Sequence, residues 1–118
     1  MDFNQNDALE MYRREVAKVQ PLTDEEQAHL FQGAGKPGEQ GELAKRRLLE
    51  STLHLVLPIA ERHVSSGLSM LDLIQEGNLG LMRALDNFRG SLLDDYSAYA
   101  VSYIEDSISE AITRSTSK

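Results

Sequence analysis

Between residues 71 and 88 apolar side chains return every three or four positions. Leu71, Ile74, Leu81, Leu85 and Phe88 fall along one stripe, with Asn78 its polar member. That period suits a helix and no strand. The neighbouring face carries Asp72, Gln75, Glu76, Leu79, Met82 and Arg83. A face meant only for water has no use for Leu79 and Met82, and one meant only for a core has no place for Asp72 and Glu76. Apolar residues ringed by acids and amides suit a helix that docks on another protein. Periodicity alone leaves a second reading equally open: a core helix with two exposed apolar residues, which surfaces commonly carry.

The rest of the chain limits what such a helix can belong to. At 118 residues it is expected to form one domain with a modest core: a leading helical segment (1–35), a main body (39–114) and a short tail (115–118). Hydrophobic residues at 41% and a mean hydropathy of −0.38 suit a soluble protein. No apolar run approaches membrane-spanning length, and Asp2, Asn4 and Asp7 are foreign to a signal peptide, so no membrane partner is expected. The absence of cysteine excludes disulfides and zinc–thiolate sites and fits a reducing cytoplasm. His29, His54 and His63 have no ligand spacing, so neither a metal nor another cofactor is expected. No nucleophile–base pairing or phosphate loop points to an enzyme. A net charge of −7 opposes binding to a phosphate backbone.

The chain reads as all-α, a compact bundle of about five helices. Asp7 can cap a first helix running to about Val19, stopped by Pro21. Thr23 with Glu26 forms a capping box that opens a second helix through about Gln32. A turn-rich break at residues 33–38 is by composition the most flexible internal piece. A long third helix from about Glu39 to Val64 has Leu49, Leu53, Val56, Ile59, Ala60 and His63 or Val64 as its inner stripe, and Pro58 is expected to kink it. Ser69 caps the fourth helix, and a fifth runs from about Asp95 to Arg114, ahead of a frayed tail.

The run Asp72-Leu73-Ile74-Gln75-Glu76-Gly77-Asn78-Leu79-Gly80-Leu81-Met82-Arg83-Ala84 resembles the signature of region two of the housekeeping-type, or sigma-seventy, sigma factors of bacterial RNA polymerase. Further similarity runs through Asp7–Glu15, Pro21–Glu26, Ala44–Glu50 and Leu53–Val56, and is weakest after Phe88. The resemblance implies a helical module in which the fourth helix packs on the clamp-helix coiled coil of the polymerase's largest subunit. The matching positions are Asp72, Gln75, Glu76, Asn78, Leu79 and Met82, all with the family's residue types. Carboxylates there suit Arg and Lys on the coiled coil, the amides suit paired hydrogen bonds, and Leu79 with Met82 suits a dry centre.

For DNA the resemblance implies something different. The family melts the promoter's upstream hexamer with stacking aromatics and phosphate-binding cations. Tyr96 and Tyr99 fall on family aromatic positions, and Ser102 with Tyr103 replaces its tryptophan pair. Asp94 stands where another aromatic is usual and Asp95 where a lysine is. Glu105, Asp106 and Glu110 replace two arginines and a glutamine. Five acids and no Lys or Arg lie between Ser91 and Ile112. In the third helix Thr52 takes the place of an asparagine that lines a base pocket, and Glu61 that of a lysine, while Arg62 stays basic. The basic group Lys45-Arg46-Arg47 is expected to pair with Glu42 and Glu50 on its own helix. Room for the later sigma modules is absent after Ser115, so the chain is either an excised domain or a reduced, free-standing sigma-like protein.

The expected function is therefore that of a cytoplasmic bacterial transcription protein. It binds core polymerase through its fourth helix and contacts promoter DNA weakly or not at all. Two alternatives stand beside it. One is a working promoter-melting domain using Tyr96, Tyr99, Tyr103 and Thr52, and the other is an acidic regulatory module for a basic protein. Leu92 and Leu93, if exposed with Tyr96, would form an apolar patch suited to self-association.

Overall fold

Thr23 and Ser69 open their helices as their side chains dictate. Thr23 Oγ1 accepts from the Glu26 amide at 3.1 Å while Glu26 Oε1 accepts from the Thr23 amide at 3.0 Å. Ser69 Oγ accepts from the Asp72 amide at 3.1 Å. The structure is a computed structural model that describes residues 5–116, whose regular elements are all helical, with no strand among them. The elements are α1 (Gln5–Ala17), α2 (Asp24–Ala34), α3 (Gly38–Thr52), α4 (Val56–Glu61), α5 (Met70–Asn87) and α6 (Leu93–Thr116). The predicted fourth and fifth helices are α5 and α6. The all-α bundle stands.

Several boundaries move. Helix α1 already includes Gln5, so Asp7 lies inside its first turn, where an acid suits the positive helix end, and does not cap it. At the far end α6 starts two residues early and continues through Thr116, so Ser115 and Thr116 are helical; 117–118 lie outside the described residues. The predicted third helix is two. It breaks at Thr52 into a 3₁₀ turn over Leu53–Leu55, and α4 then begins at Val56. Proline cannot donate to the carbonyl four residues back and its ring crowds that carbonyl, so the disruption falls near residue 54 rather than at Pro58 itself. Pro58 ends up in the first turn of α4, where an amide would have no helical partner anyway. The Thr52 hydroxyl closes the broken end by donating toward the carbonyls of Leu48 (3.0 Å) and Leu49 (3.2 Å).

The core forms where α3, α4, α5 and α6 meet, around Leu48, Val56, Leu73, Leu81, Ile104 and Ile108. Val56, Ile59 and Ala60 are buried as their stripe requires, but Leu49, Leu53 and His63 are only half-buried and Val64 is exposed. Helix α5 is turned relative to its expected stripe: Leu71 is exposed, while Leu73, Gly77, Gly80 and Ala84 are buried with Ile74, Leu81 and Leu85. The reason is the close approach of α6. A Cβ on Gly80 would strike the Tyr103 carbonyl and the Ile104 Cα, and one on Gly77 would strike Val56 and Ile108 side chains. Small residues thus define the buried side of α5. Helix α2 fastens the start of α6, where the Leu93 amide donates to Gln27 Oε1 at 2.7 Å. Phe31 of α2 packs on Phe88 and Tyr96, with ring centroids 5.3 and 5.9 Å away.

Candidate functional site

Burying Gly77, Gly80 and Ala84 against α6 forces the opposite side of α5 outward. Asp72, Gln75, Leu79 and Met82 are exposed on it, with Leu71 one turn before Gln75 also exposed. Leu79 and Met82 are 42% and 48% exposed, which is unusual in a helix whose other side is wholly buried. Past Met82 the surface dips into a groove of about 370 Å³ between α5 and α3, lined by Leu49, Arg46 and Lys45. Lys45 spans this groove, 3.8 Å from Glu42 and 3.6 Å from Asp86.

The two edges of the face are occupied by the protein itself. Glu76 is half-buried and pairs with Arg114 of α6 at 3.4 Å. Asn78 is half-buried beneath Tyr12 of α1. Burial raises the Tyr12 phenol above its ordinary value, and the nearby Asn78 amide offsets part of the rise. Among the described residues, Tyr12 Oη and Asn78 Oδ1 make no bond of strict hydrogen-bonding geometry. Of the six candidate docking residues, the structure gathers Asp72, Gln75, Leu79 and Met82 on open surface and holds Glu76 and Asn78 at its margins. Leu71 is the exposed neighbour that helical spacing places inward. Its exposure follows from the turn of α5, which bulky residues alone do not reveal.

The aromatic candidates separate more sharply. Tyr96 is fully buried, and its hydroxyl donates to the Leu81 carbonyl at 2.7 Å. Burial drives its phenol far above the usual range, with the Thr52 hydroxyl close by. Tyr96 is a core residue with no ring face to offer a base. Thr52, 1% exposed and committed to the end of α3, is no pocket side chain either. Both expectations are corrected. With Tyr96 buried and Leu93 half-buried, the apolar patch expected around Leu92 does not form. Tyr99 and Tyr103 do reach the surface. Their hydroxyls are 3.0 Å apart and their ring centroids 5.2 Å, and the hydrogen bond shared with Tyr99 pushes the Tyr103 phenol up.

Charges around this tyrosine pair are mostly negative or already matched. Glu105 turns toward α4, where it meets Arg62 at 2.8 Å and His63 Nε2 at 3.3 Å. Glu61 holds Arg13 of α1 at 2.7 Å. Arg62, the base retained on this path, is thereby neutralised. Asp94, Asp95, Asp106 and Glu110 are exposed and form no ion pair among the described residues. In the basic group, Lys45 meets Glu42 as expected. Arg47 instead donates to Ser51 Oγ (3.1 Å) and the Gln20 carbonyl (3.3 Å). Among the described residues no cluster of His, Asp or Glu could hold a metal ion, and no helix is long and apolar enough to cross a membrane.

A family model for sigma-70 region 2 matches residues 48–117, more than half of the chain. The chain belongs to the sigma-70 region 2 family. The match spans the end of α3, all of α4, α5 and α6, and every candidate docking and DNA residue named above; α1 and α2 lie before it. Sigma-70 region 2 is a non-enzymatic module of transcription initiation that interacts with core RNA polymerase and promoter DNA. A sigma-factor-like role in transcription follows for this member.

Proposed function

We propose that this sigma-70 region 2 member docks on the clamp-helix coiled coil of core RNA polymerase through the outer face of α5, and holds promoter strands weakly or not at all. The observation that carries the docking half is the pair Leu79 and Met82, exposed on the same outer face as Asp72 and Gln75, which precede them on a helix seated from behind. Such a centre loses water on docking, and the surrounding acid and amide fix orientation. The acidic outer face of α6 supports the other half. A protein with these two surfaces competes with true sigma factors for polymerase, or delivers polymerase to another factor. Titrating the full chain with an isolated clamp-helix fragment tests the reading, and no binding at tens of micromolar overturns it.

A second reading draws on Tyr99 and Tyr103. Two adjacent surface rings can stack on unpaired bases, each base contributing roughly 1–3 kcal/mol, so promoter recognition survives if that gain exceeds the repulsion from Asp94, Asp95, Asp106 and Glu110. Binding to single-stranded upstream-hexamer DNA across a salt series separates the two readings.

A further inference from the structure

Helix α5 ends at Asn87, and the chain bends away through Phe88 before α6 begins at Leu93. The end of α2 and the start of α3 lie against that bend, and a cavity of about 540 Å³ opens between them. Sites for small molecules have volumes of this order. Phe31 and Phe88 form the apolar wall with Ala34 and Leu85. The two rings touch, with centroids 5.3 Å apart, yet neither side chain is fully buried, so both keep ring surface for a further contact. Gly90 has to stay small here, because a Cβ on it would strike the Phe88 ring.

The mouth of this cavity is positive, against the sign of the whole protein. Lys45 and Arg89 line it with one carboxylate, that of Asp86. Arg89 donates to the carbonyls of Phe88 (3.1 Å) and Asp86 (3.3 Å) and forms no ion pair among the described residues. Neutral carbonyls hold its guanidinium in place without cancelling the charge. The Lys45 ammonium stands 3.6 Å from Asp86 and 3.8 Å from Glu42, both long for charge-assisted hydrogen bonds, so it has a closer acceptor to gain.

We propose that this cavity binds a small organic anion with a flat aromatic body. Its ring lies against Phe31 and Phe88, where tilted or offset contact suits aromatic pairs. Its carboxylate, or an anionic head of similar shape, sits on Arg89, whose planar fork matches two oxygens, with Lys45 adding a second cation. An inorganic anion leaves the apolar wall wet, and a neutral aromatic leaves the two cations unanswered, so both parts of the ligand are needed.

The test is a titration of the full chain followed by amide NMR, with 2-naphthoate, its neutral amide 2-naphthamide, and inorganic phosphate as probes. Naphthoate is expected to shift the amides of Phe31, Gly35, Phe88 and Gly90, with a dissociation constant on the order of 1 mM for a ligand of that size. Naphthamide binds at least about threefold more weakly at the same place, and phosphate more weakly still. Arg89→Gln lowers naphthoate to the level of naphthamide and leaves naphthamide itself unchanged; Arg89 is exposed, so the fold does not depend on it. Ala34→Leu fills the space without touching a charge and weakens both aromatic probes together. Absence of shifts at about 5 mM naphthoate overturns the proposal, as do shifts centred on other residues. Equal binding of acid and amide removes the cations from the site, phosphate binding as well as naphthoate reduces the site to a surface charge, and an Arg89→Gln variant that binds like the wild type does the same; each of these overturns it too.

Discussion

Two tyrosines show how differently one residue type can be used in this bundle. Tyr96 and Tyr12 both have phenols raised by burial, yet Tyr96 donates to the Leu81 carbonyl at 2.7 Å, whereas Tyr12 Oη has only the Asn78 amide nearby and makes no bond of strict geometry among the described residues. Removing the Tyr96 hydroxyl with Tyr96→Phe is expected to cost about 1 kcal/mol of stability, read by urea unfolding, while leaving any single-stranded DNA binding unchanged because the ring never meets solvent. Loss of DNA binding in that variant would return Tyr96 to the site. Both phenols also impose a pH limit. A folded-state value above the unfolded one means the native chain keeps protons that the unfolded chain releases. The associated stability is complete below about pH 10 and drains away as the pH climbs through the folded values. Glu26 works in the opposite sense. The Thr23 amide bonded to its carboxylate lowers its pKa, so that contribution is present above the ordinary carboxylate range and is lost as pH falls through the folded value. Thr23→Ala should cost about 1 kcal/mol at neutral pH. The acid limb of the stability profile should persist in that variant, because alanine keeps the backbone amide from which Glu26 accepts.

At the scale of elements the decisive packing is α5 against α6. Gly80 permits it, since any Cβ there meets backbone and not a side chain that can swing aside. Gly80→Ala is therefore expected to destabilise by about 1–3 kcal/mol even though alanine favours helices, measured as a lowered midpoint in thermal or urea unfolding. A neutral or stabilising result would mean the two helices sit further apart than described. The same packing explains what is and is not legible in the sequence. Caps are local chemistry, so Thr23, Glu26 and Ser69 announce the starts of α2 and α5 to within a residue. Existence and order of the helices follow from apolar spacing for the same reason. The buried side of α5 does not, because glycines carry no apolar signal until a second helix lies on them, and so periodicity turns Leu71 the wrong way. Pro58 is legible as a disruption, but its position inside α4 depends on the carbonyl it displaces upstream. Burial of Tyr96 and Thr52 is likewise tertiary: the family pattern marks a position as aromatic without saying which way the ring turns.

For the whole molecule, charge decides between partners. The net charge of −7 is spread so that Arg13, Arg62, Lys45 and Arg114 are each matched by a carboxylate, whereas Asp94, Asp95, Asp106 and Glu110 have no cationic partner among the described residues. Reversing Asp106→Lys and Glu110→Arg together places two cations on the helix that carries Tyr99 and Tyr103. Affinity for single-stranded upstream-hexamer DNA should then rise at least about tenfold, with the dependence of log K on log salt steepening by about 0.7 for each phosphate newly neutralised. No rise would show that charge is not what keeps DNA away. The docking face should respond to neither change, since α5 presents it on the far side of Gly80 from α6. It should respond to its own centre. Leu79→Asp and Met82→Asp put a carboxylate where the proposed interface must lose water, yet Leu79 and Met82 are already 42% and 48% exposed, so folding has little stake in either. Clamp-helix affinity is expected to fall by about 30-fold or more, equivalent to about 2 kcal/mol, with the unfolding midpoint unchanged. If both variants bind as well as the wild type, the apolar centre of α5 is not the docking site, and a surface charge on α6 becomes the better place to look.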